Sequence, residues 1–334
     1  MKDIAVKVGV STALVSYVLN NKEKEARVGK DIALKIRKAA SDLNYQPNFI
    51  ARSLKTGKTN TIGIILADIS NPFFSNLARI IEDEAKKFGY TVIFGSSDER
   101  ADKSGDLIDT LINRQVDGLI IAPAEHTEKQ IKLLRKKEVP FVLIDRFFPN
   151  VDANYIHTNN FAASYEATEQ LIKNGYQKIA IFAYEASLFH MQERIRGYKA
   201  ALKDNNIKSK RNLLCQVKHA SIENDVANHL NALVKDVGAN AIFFTTNSLA
   251  VQGLKQIIKL GIKIPDEIGV VSFDETDAFD LFYAPITYVK QNLIEIGRES
   301  VKMLLESLEK KTKKTTHMKV EAKLIVRKSS ERSN

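Results

Sequence analysis

The chain has 334 residues, with 44% hydrophobic and 27% charged residues, which is a soluble globular composition long enough for two or three cores. No apolar run approaches the ~20 residues of a membrane helix, and the start MKDIAVKVGV enters an amphipathic pattern directly, without a secretory leader's apolar core. The single cysteine, Cys215, excludes an internal disulfide, so the sequence points to a cytoplasmic protein with no membrane attachment. Net charge is +10, unevenly placed: residues 1–60 hold 12 Lys/Arg against 5 Asp/Glu, and the remainder 38 against 35. A basic head on a nearly neutral body is the footprint of a nucleic-acid-binding module. A merely solvated basic surface would give the same count.

In the head, Asp3 to Val8 reads as a short helix burying Ile4, Ala5 and Val8, broken by Gly9. Ser11 is a good N-cap for a second helix, Thr12 to Asn20. Two short helices joined by a turn containing Gly match the helix-turn-helix pattern. At about 100° per residue the second helix divides in two. Leu14, Val15, Val18 and Leu19 fall on one side, and Thr12, Ala13, Ser16, Tyr17 and Asn20 on the other. The second face is small at its start, which suits close approach to base edges in a major groove. A third helix, Lys30 to Leu43, offers Ile32, Ile36, Ala39, Ala40 and Leu43 to close the core. Pro47 then stops the chain, and Asn48 can cap a short segment, Phe49 to Lys55, too short to hold as an isolated helix. In it Arg52 and Lys55 suit phosphates, and Leu54 suits a wedge between base steps.

From residue 61 apolar runs alternate with helical patterns, in two similar sets. The first set has strands at Thr61–Leu66, Thr91–Phe94, Gly118–Ile121 and Phe141–Ile144; the second has Ile179–Ala183, Leu213–Val217, Ala241–Thr245 and Gly269–Phe273. Strands buried on both faces and separated by helices imply parallel sheets covered on each side. Asn154–Asn160 and Tyr288–Asn292 read as crossings between two subdomains.

In open α/β sheets ligands bind beyond the carboxyl ends of the strands. The polar and aromatic residues there are Asn71, Phe73 and Phe74 after the first strand, Asp98 after the second and Asp145 after the fourth. In the second set they are Gln192 and Arg194, Asn247, and Asp274, with Gln291 at a crossing. Carboxylates, amides, an arginine and flat rings are what a polyhydroxylated ligand such as a sugar requires. The plainer reading is scaffolding: Asn71 and Asn247 as helix caps, Phe73 and Phe74 as core, Arg194 paired with a carboxylate. His190 lies near this cleft, where it could bind ligand, but reads as a solvent-facing loop histidine, and Cys215 reads as an inert core residue. No G-x-G-x-x-G follows the first strand, and neither G-x-x-x-x-G-K-[ST] nor G-x-S-x-G occurs. The six histidines show no metal-ligand spacing. We expect no cofactor, no metal and no enzyme activity.

The segments DIAVKVGVSTALVSYVLN and LNYQPNFIARSLKTGKTNTIGIILADISNPFF, followed by VDGLIIAP, VLIDR, FTTN, PDEIGVVSFD, PITYVKQN and LIVRKSS, resemble the lactose-repressor (LacI/GalR) family of transcriptional regulators over essentially the whole chain. The resemblance implies an α/β protein: a helix-turn-helix head (1–46), a hinge helix and linker (47–60), and a periplasmic-binding-protein-like body (61–334). The body would have two interleaved parallel-sheet subdomains, roughly 61–160 plus 293–320 and 161–292 plus 321–328. It implies base reading by Thr12, Ala13 and Tyr17, and phosphate contacts by Ser16 and Asn20. It also implies a minor-groove hinge helix carrying Asn48, Ala51, Arg52, Leu54 and Lys55. Tyr17 stands where the family most often has Arg. Ser248, after the Asn of FTTN, and Thr158-Asn159-Asn160 each replace a common carboxylate. The implied partners are a pseudo-palindromic double-stranded operator, a small effector of carbohydrate type and a second copy of the chain. The dimer interface would include Asn76–Phe88, and the absence of a heptad repeat after LIVRKSS favours a dimer over a tetramer. The alternatives are a protein corepressor docking on the body, or a transport solute-binding protein.

Overall fold

The computed structural model describes residues 1–45, 57–185, 187–309 and 314–332. These form two compact units, Met1–Thr59 and Asn60–Asn334. The hinge positions Asn48, Ala51, Arg52, Leu54 and Lys55 lie outside the described residues.

The first unit contains α1 (Lys2–Val8), α2 (Thr12–Leu19) and α3 (Lys30–Asp42). Gly9 stops α1 in the left-handed region (φ 74°), a conformation that costs glycine little. Ser11 caps α2, its hydroxyl accepting from Leu14 N at 3.2 Å. Ile4, Ala5, Val15, Val18, Ala33, Ile36, Ala39 and Ala40 make the core. One expected core residue is displaced. Helix α3 ends at Asp42, so Leu43 becomes its C-cap and is exposed; Ala33 and part of Tyr45 fill the core instead.

The second unit holds two six-stranded sheets. The first has the order β11 (His317–Val320), β5 (Asn154–Thr158), β4 (Phe141–Ile144), β3 (Gly118–Ile121), β1 (Thr61–Leu66), β2 (Thr91–Ser96). The second runs β12 (Lys323–Ile325), β10 (Thr287–Lys290), β9 (Gly269–Phe273), β8 (Ala241–Phe244), β6 (Ile179–Tyr184), β7 (Leu214–Val217). All pairings are parallel except that of β12 with β10. Central strands such as β3, β4, β8 and β9 are buried at every residue, as their unbroken apolar sequences require. Strand β2 departs from that expectation. It is an edge strand, and Ile93 and Phe94 are exposed.

Helices α4 (Pro72–Lys87), α5 (Ala101–Asn113), α6 (Glu128–Lys136) and α11 (Leu293–Glu309) cover the first sheet. Helices α7 (Asn160–Lys173), α8 (Phe189–Asp204), α9 (Ile222–Ala232) and α10 (Asn247–Lys259) cover the second. The chain therefore passes between the lobes near Thr158, after Lys290 and after Val320. These crossings are tied together. Thr158 Oγ1 donates to Gln291 Oε1. Asn159 N donates to Val320 O (3.1 Å), and Ala322 N donates to Asn159 Oδ1 (2.9 Å).

Helices α7 and α8 approach backbone to backbone because Gly197 faces α7. A Cβ there would lie far inside contact with the Phe161 carbonyl and 3.0 Å from Tyr165 N. Gly197→Ala is therefore expected to destabilise the body by about 1–3 kcal/mol. Because Arg194 lies one turn before Gly197, the change should also weaken any ligand whose binding depends on Arg194. Chemical denaturation and ligand titration of the variant check both effects.

Candidate functional site

Two surfaces have the chemistry of sites, one in each unit. On α2, Thr12, Ala13, Tyr17 and Asn20 are exposed and Ser16 is half-buried, while Val15 and Val18 point into the core. The face expected to read bases is thus free. Asn20 Nδ2 donates to Ser16 O (2.8 Å) and Ser16 Oγ (3.3 Å), which fixes the end of this face.

The second surface is a cleft between the lobes of the body, beyond the carboxyl ends of both sheets. It is a narrow space of about 50 Å³. From the first lobe, Asn71 caps α4, its Oδ1 accepting from Phe73 N at 3.0 Å. That oxygen also accepts from Asn247 Nδ2 at 3.1 Å, so Asn71 and Asn247 bridge the lobes. A second bridge joins Ser187, before α8, to Glu125, whose Oε1 accepts from Ser187 N at 2.6 Å and Ser187 Oγ at 2.5 Å.

The cleft wall is built on charges removed from water. Arg146, directly after β4, grips Glu99 with both guanidinium ends at 2.6 and 2.7 Å and lies over the Phe74 ring at 5.4 Å. Burial acts to raise the Glu99 carboxyl, but the charge and hydrogen bonds of Arg146 outweigh it and hold the carboxyl below its ordinary range. Asp145 Oδ2 lies 3.5 Å from Arg146 Nε; burial pushes the Asp145 carboxyl up despite both nearby arginines. Both Asp145 and Asp274 sit at strand ends with positive φ, 63° and 68°, which turns each carboxylate toward the lobe junction.

Arg194 is 2% exposed. It donates from Nε to Asn160 Oδ1 (2.8 Å) and from NH1 to Thr245 O (2.6 Å), and lies 3.5 Å over the Phe273 ring. Asp274 Oδ2 is 3.7 Å away, and Asp274 Oδ1 accepts from Gln291 Nε2 at 2.6 Å. Asn160 Nδ2 donates back to Thr158 O at 3.0 Å. With the Thr158–Gln291 bond this closes a ring, Thr158–Gln291–Asp274–Arg194–Asn160, running through two of the crossings. Burial pushes the Asp274 carboxyl up to about 6, because Arg194 at 3.7 Å and the Gln291 amide only partly offset it.

The folded-state value lies above the ordinary 3.8, so the folded protein holds the proton more tightly than the unfolded chain. The unfavourable contribution of Asp274 is full above about pH 6 and is relieved as pH falls toward 3.8. Buried His190, held well below its ordinary value by burial and by Arg146 and Arg194, acts with the opposite sign. Subtracting the Asp274→Asn variant isolates the Asp274 part. The wild-type minus variant difference in unfolding free energy should rise by about 1 kcal/mol between pH 7 and pH 5. A flat difference in denaturation midpoints would show that Asp274 stays ionised.

The residues expected at this site from the sequence do not all converge. Asn71 lines the cleft, and Asn247 reaches it through Asn71. Asp145 stands behind Arg146, and Arg194, Asp274 and Gln291 make the ring. Phe73 is core beside Phe74, with ring centroids 4.9 Å apart. Asp98 turns outward, accepting from Ser96 Oγ at 2.6 Å and pairing with Lys103, and Glu99 faces the cleft in its place. Gln192 is exposed and donates to Ser187 O at 2.9 Å; it lines a separate groove with Phe147 and Phe189.

Tyr184, His219 and Thr246, which the sequence reading does not single out, also line the cleft, together with His190 and with Ser248, the residue that stands in place of a common carboxylate. The expectation of a solvent-facing His190 is corrected. It is 4% exposed, because it lies on α8 one turn before Arg194 and shares its inward face. His219 follows β7 and stacks on Tyr184 at 3.6 Å; the strand-end rule that singled out Asp98 covers this loop equally. Cys215 is buried, and burial pushes its thiol up to about 12, so it is inert. No group of three or more His, Cys, Asp or Glu able to hold a metal occurs among the described residues. Nor is any helix among them long and apolar enough to cross a membrane.

Comparison with known families decides what the two surfaces belong to. Residues 1–48 match the family model of bacterial regulatory proteins, lacI family. Residues 59–328 match that of periplasmic binding proteins and the sugar binding domain of the LacI family. The chain belongs to the LacI family. It is 30% identical over 332 residues to the ribose operon repressor of Halalkalibacterium halodurans, covering 99% of this chain and 96% of that one. It is 29% identical over 330 residues to the transcriptional repressor PurR of Histophilus somni, covering 98% of each. The fold also matches the lac repressor dimer bound to operator and an anti-inducer, with a TM-score of 0.86 over 98% of both chains at 22% identity. This LacI-family member is accordingly a DNA-binding transcriptional regulator controlled by a small molecule, not an enzyme.

Proposed function

We propose that the chain is a dimeric repressor whose operator affinity is set by a carbohydrate-type effector held between the lobes of the body. The observation that carries this reading is the cleft itself. Both sheets aim their carboxyl ends at it, two of its lining residues bury an atom without a hydrogen-bond partner among the described residues, Arg146 Nε and His190 Nδ1, and so does Asp145 Oδ1 behind Arg146. Buried polar atoms cost stability until something satisfies them, so a ligand with hydroxyl groups gains affinity at these atoms. Effector binding alters the lobe bridges and the crossing ring, and so biases the relative orientation of the lobes.

In this reading Thr12, Ala13 and Tyr17 meet base edges in the major groove, and Ser16 and Asn20 meet phosphates. Two copies place their α2 helices in successive major grooves of a pseudo-palindromic operator. Ile93 and Phe94 on edge strand β2, with Leu281 (87% exposed) and Tyr283 (62%), supply apolar surface for the partner copy to cover. Asn48, Ala51, Arg52, Leu54 and Lys55 form the minor-groove element, with Leu54 as its wedge.

Such a regulator works in the cytoplasm, where the chromosome is. The relatives named as a ribose operon repressor and PurR support repression as the sense of control. Leu54→Ala should weaken specific operator binding at least about tenfold, with effector affinity unchanged. Fluorescence anisotropy on operator DNA and calorimetry with effector test the two halves separately. Unchanged operator affinity removes the wedge from the account.

A further inference from the structure

We propose that the cleft takes an uncharged, polyhydroxylated ligand, a free sugar rather than a sugar phosphate or another anion. The inference rests on the cleft being the effector site, and adds the charge of the ligand to that reading.

Both buried cations are already neutralised. Both ends of the Arg146 guanidinium are spent on Glu99, at 2.6 and 2.7 Å, and Asp145 approaches its Nε. Arg194 is held by Asn160, the Thr245 carbonyl and Asp274. Neither offers the free fork that phosphate recognition uses. Asp68 adds a further carboxylate to the lining. His190 and His219 are held neutral by burial, so they supply no compensating charge.

Helix N-termini are the other common source of phosphate affinity, and two of those at the cleft are taken. Asn71 caps α4, and Thr246 caps α10 with its hydroxyl 3.3 Å from Leu249 N. Helix α8 has Leu188 at its N-cap and no side-chain cap; the Glu125 carboxylate, held on Ser187 N–H just ahead of it, sets a negative charge beside that end. A phosphate ester entering this cleft would face Asp68 and Glu99, with Asp145 behind Arg146, and both buried arginines are already paired.

The unpartnered atoms select for hydroxyls. Asp145 Oδ1 can only accept while ionised, Arg146 Nε can only donate, and neutral His190 Nδ1 does one or the other according to tautomer. A hydroxyl group donates and accepts, so it can serve a donor such as Arg146 Nε or an acceptor such as Asp145 Oδ1. A phosphate dianion accepts only, and would leave Asp145 Oδ1 opposed by a like charge.

The test is calorimetry on the full chain with matched pairs: D-ribose and ribose 5-phosphate, D-glucose and glucose 6-phosphate, D-fructose and fructose 6-phosphate. At least one free sugar should bind at least about 100-fold more tightly than its ester. Asp145→Asn should weaken that sugar at least about tenfold. Glu99→Gln releases Arg146 and should narrow the preference over the ester at least about tenfold. An ester that binds as tightly as its sugar, and loses affinity in Asp145→Asn, overturns the uncharged ligand but leaves the cleft as effector site. Binding by none of the six, or by a purine base instead, overturns the sugar class. A ligand whose affinity is the same in the wild type, Asp145→Asn and Glu99→Gln places the effector elsewhere and overturns the reading of the cleft as well.

Discussion

Arg194→Ala is expected to destabilise the body by about 3–5 kcal/mol and to abolish the effector response. Arg194 is among the largest fully buried side chains of the described residues, and it holds Asp274 in the lobe junction. Removing it leaves a buried carboxylate without its counter-charge, the costly way to break a buried pair. It also opens the ring through Asn160 and Gln291, so the two crossings lose a tie to the cleft. Removing the second partner should restore part of the loss. The Arg194→Ala/Asp274→Ala double variant is expected to be more stable than Arg194→Ala alone, yet equally deaf to effector. Denaturation of the two singles and the double, with operator titrations in the presence and absence of ligand, gives both quantities. Additive losses would mean that the pair is not coupled, and a retained response would place the effector site elsewhere.

The second large effect belongs to the head. Ala13 is exposed on α2 and touches none of the core that Val15 and Val18 fill. Ala13→Glu should therefore fold normally and still lose specific operator binding by at least about 100-fold, because a carboxylate would be driven against base edges and phosphates. Effector binding should be unchanged, because the head and the body are separate compact units. Leu34→Glu is the matched control: Leu34 is 64% exposed on α3, a different helix from the one that carries the reading face, and its replacement should leave operator affinity near the wild-type value. Equal losses in both variants would reflect general charge repulsion and not a reading face on α2.

The fold was largely legible in the sequence because its signals are local. The division of α2 into buried Val15 and Val18 against exposed Thr12, Ala13 and Tyr17 follows from helical period alone. The unbroken apolar runs of β3, β4, β8 and β9 announce strands covered on both faces. Edge position is not local. Nothing in TVIF distinguishes β2 from a central strand, and so Ile93 and Phe94 came out exposed against expectation. Leu43 failed for a related reason: the period continues past the point where α3 ends.

The site was legible by loop but not by residue. Strand ends marked the right segments, while the choice of Asp98 over Glu99 turned on backbone conformation. Both residues adopt positive φ, 50° and 58°, and this sends the Asp98 carboxylate to Lys103 and the Glu99 carboxylate to Arg146. His190 reads from the sequence as near the cleft but solvent-facing, and nothing marks His219, because a lone histidine has no spacing signature. Only the packing of α8, and the Tyr184 ring under His219, put them in the cleft.

The most direct test of the central claim is selection of operators from random duplex DNA by the purified full chain, with and without a ligand that raises its melting temperature. The expected result is an enriched pseudo-palindrome, with two half-sites about one or more helical turns apart, whose affinity changes severalfold or more when that ligand is added. An enriched palindrome whose affinity no stabilising ligand alters would contradict control through the cleft. Failure to enrich any sequence, with or without ligand, would contradict the assignment of α2 as the reading helix.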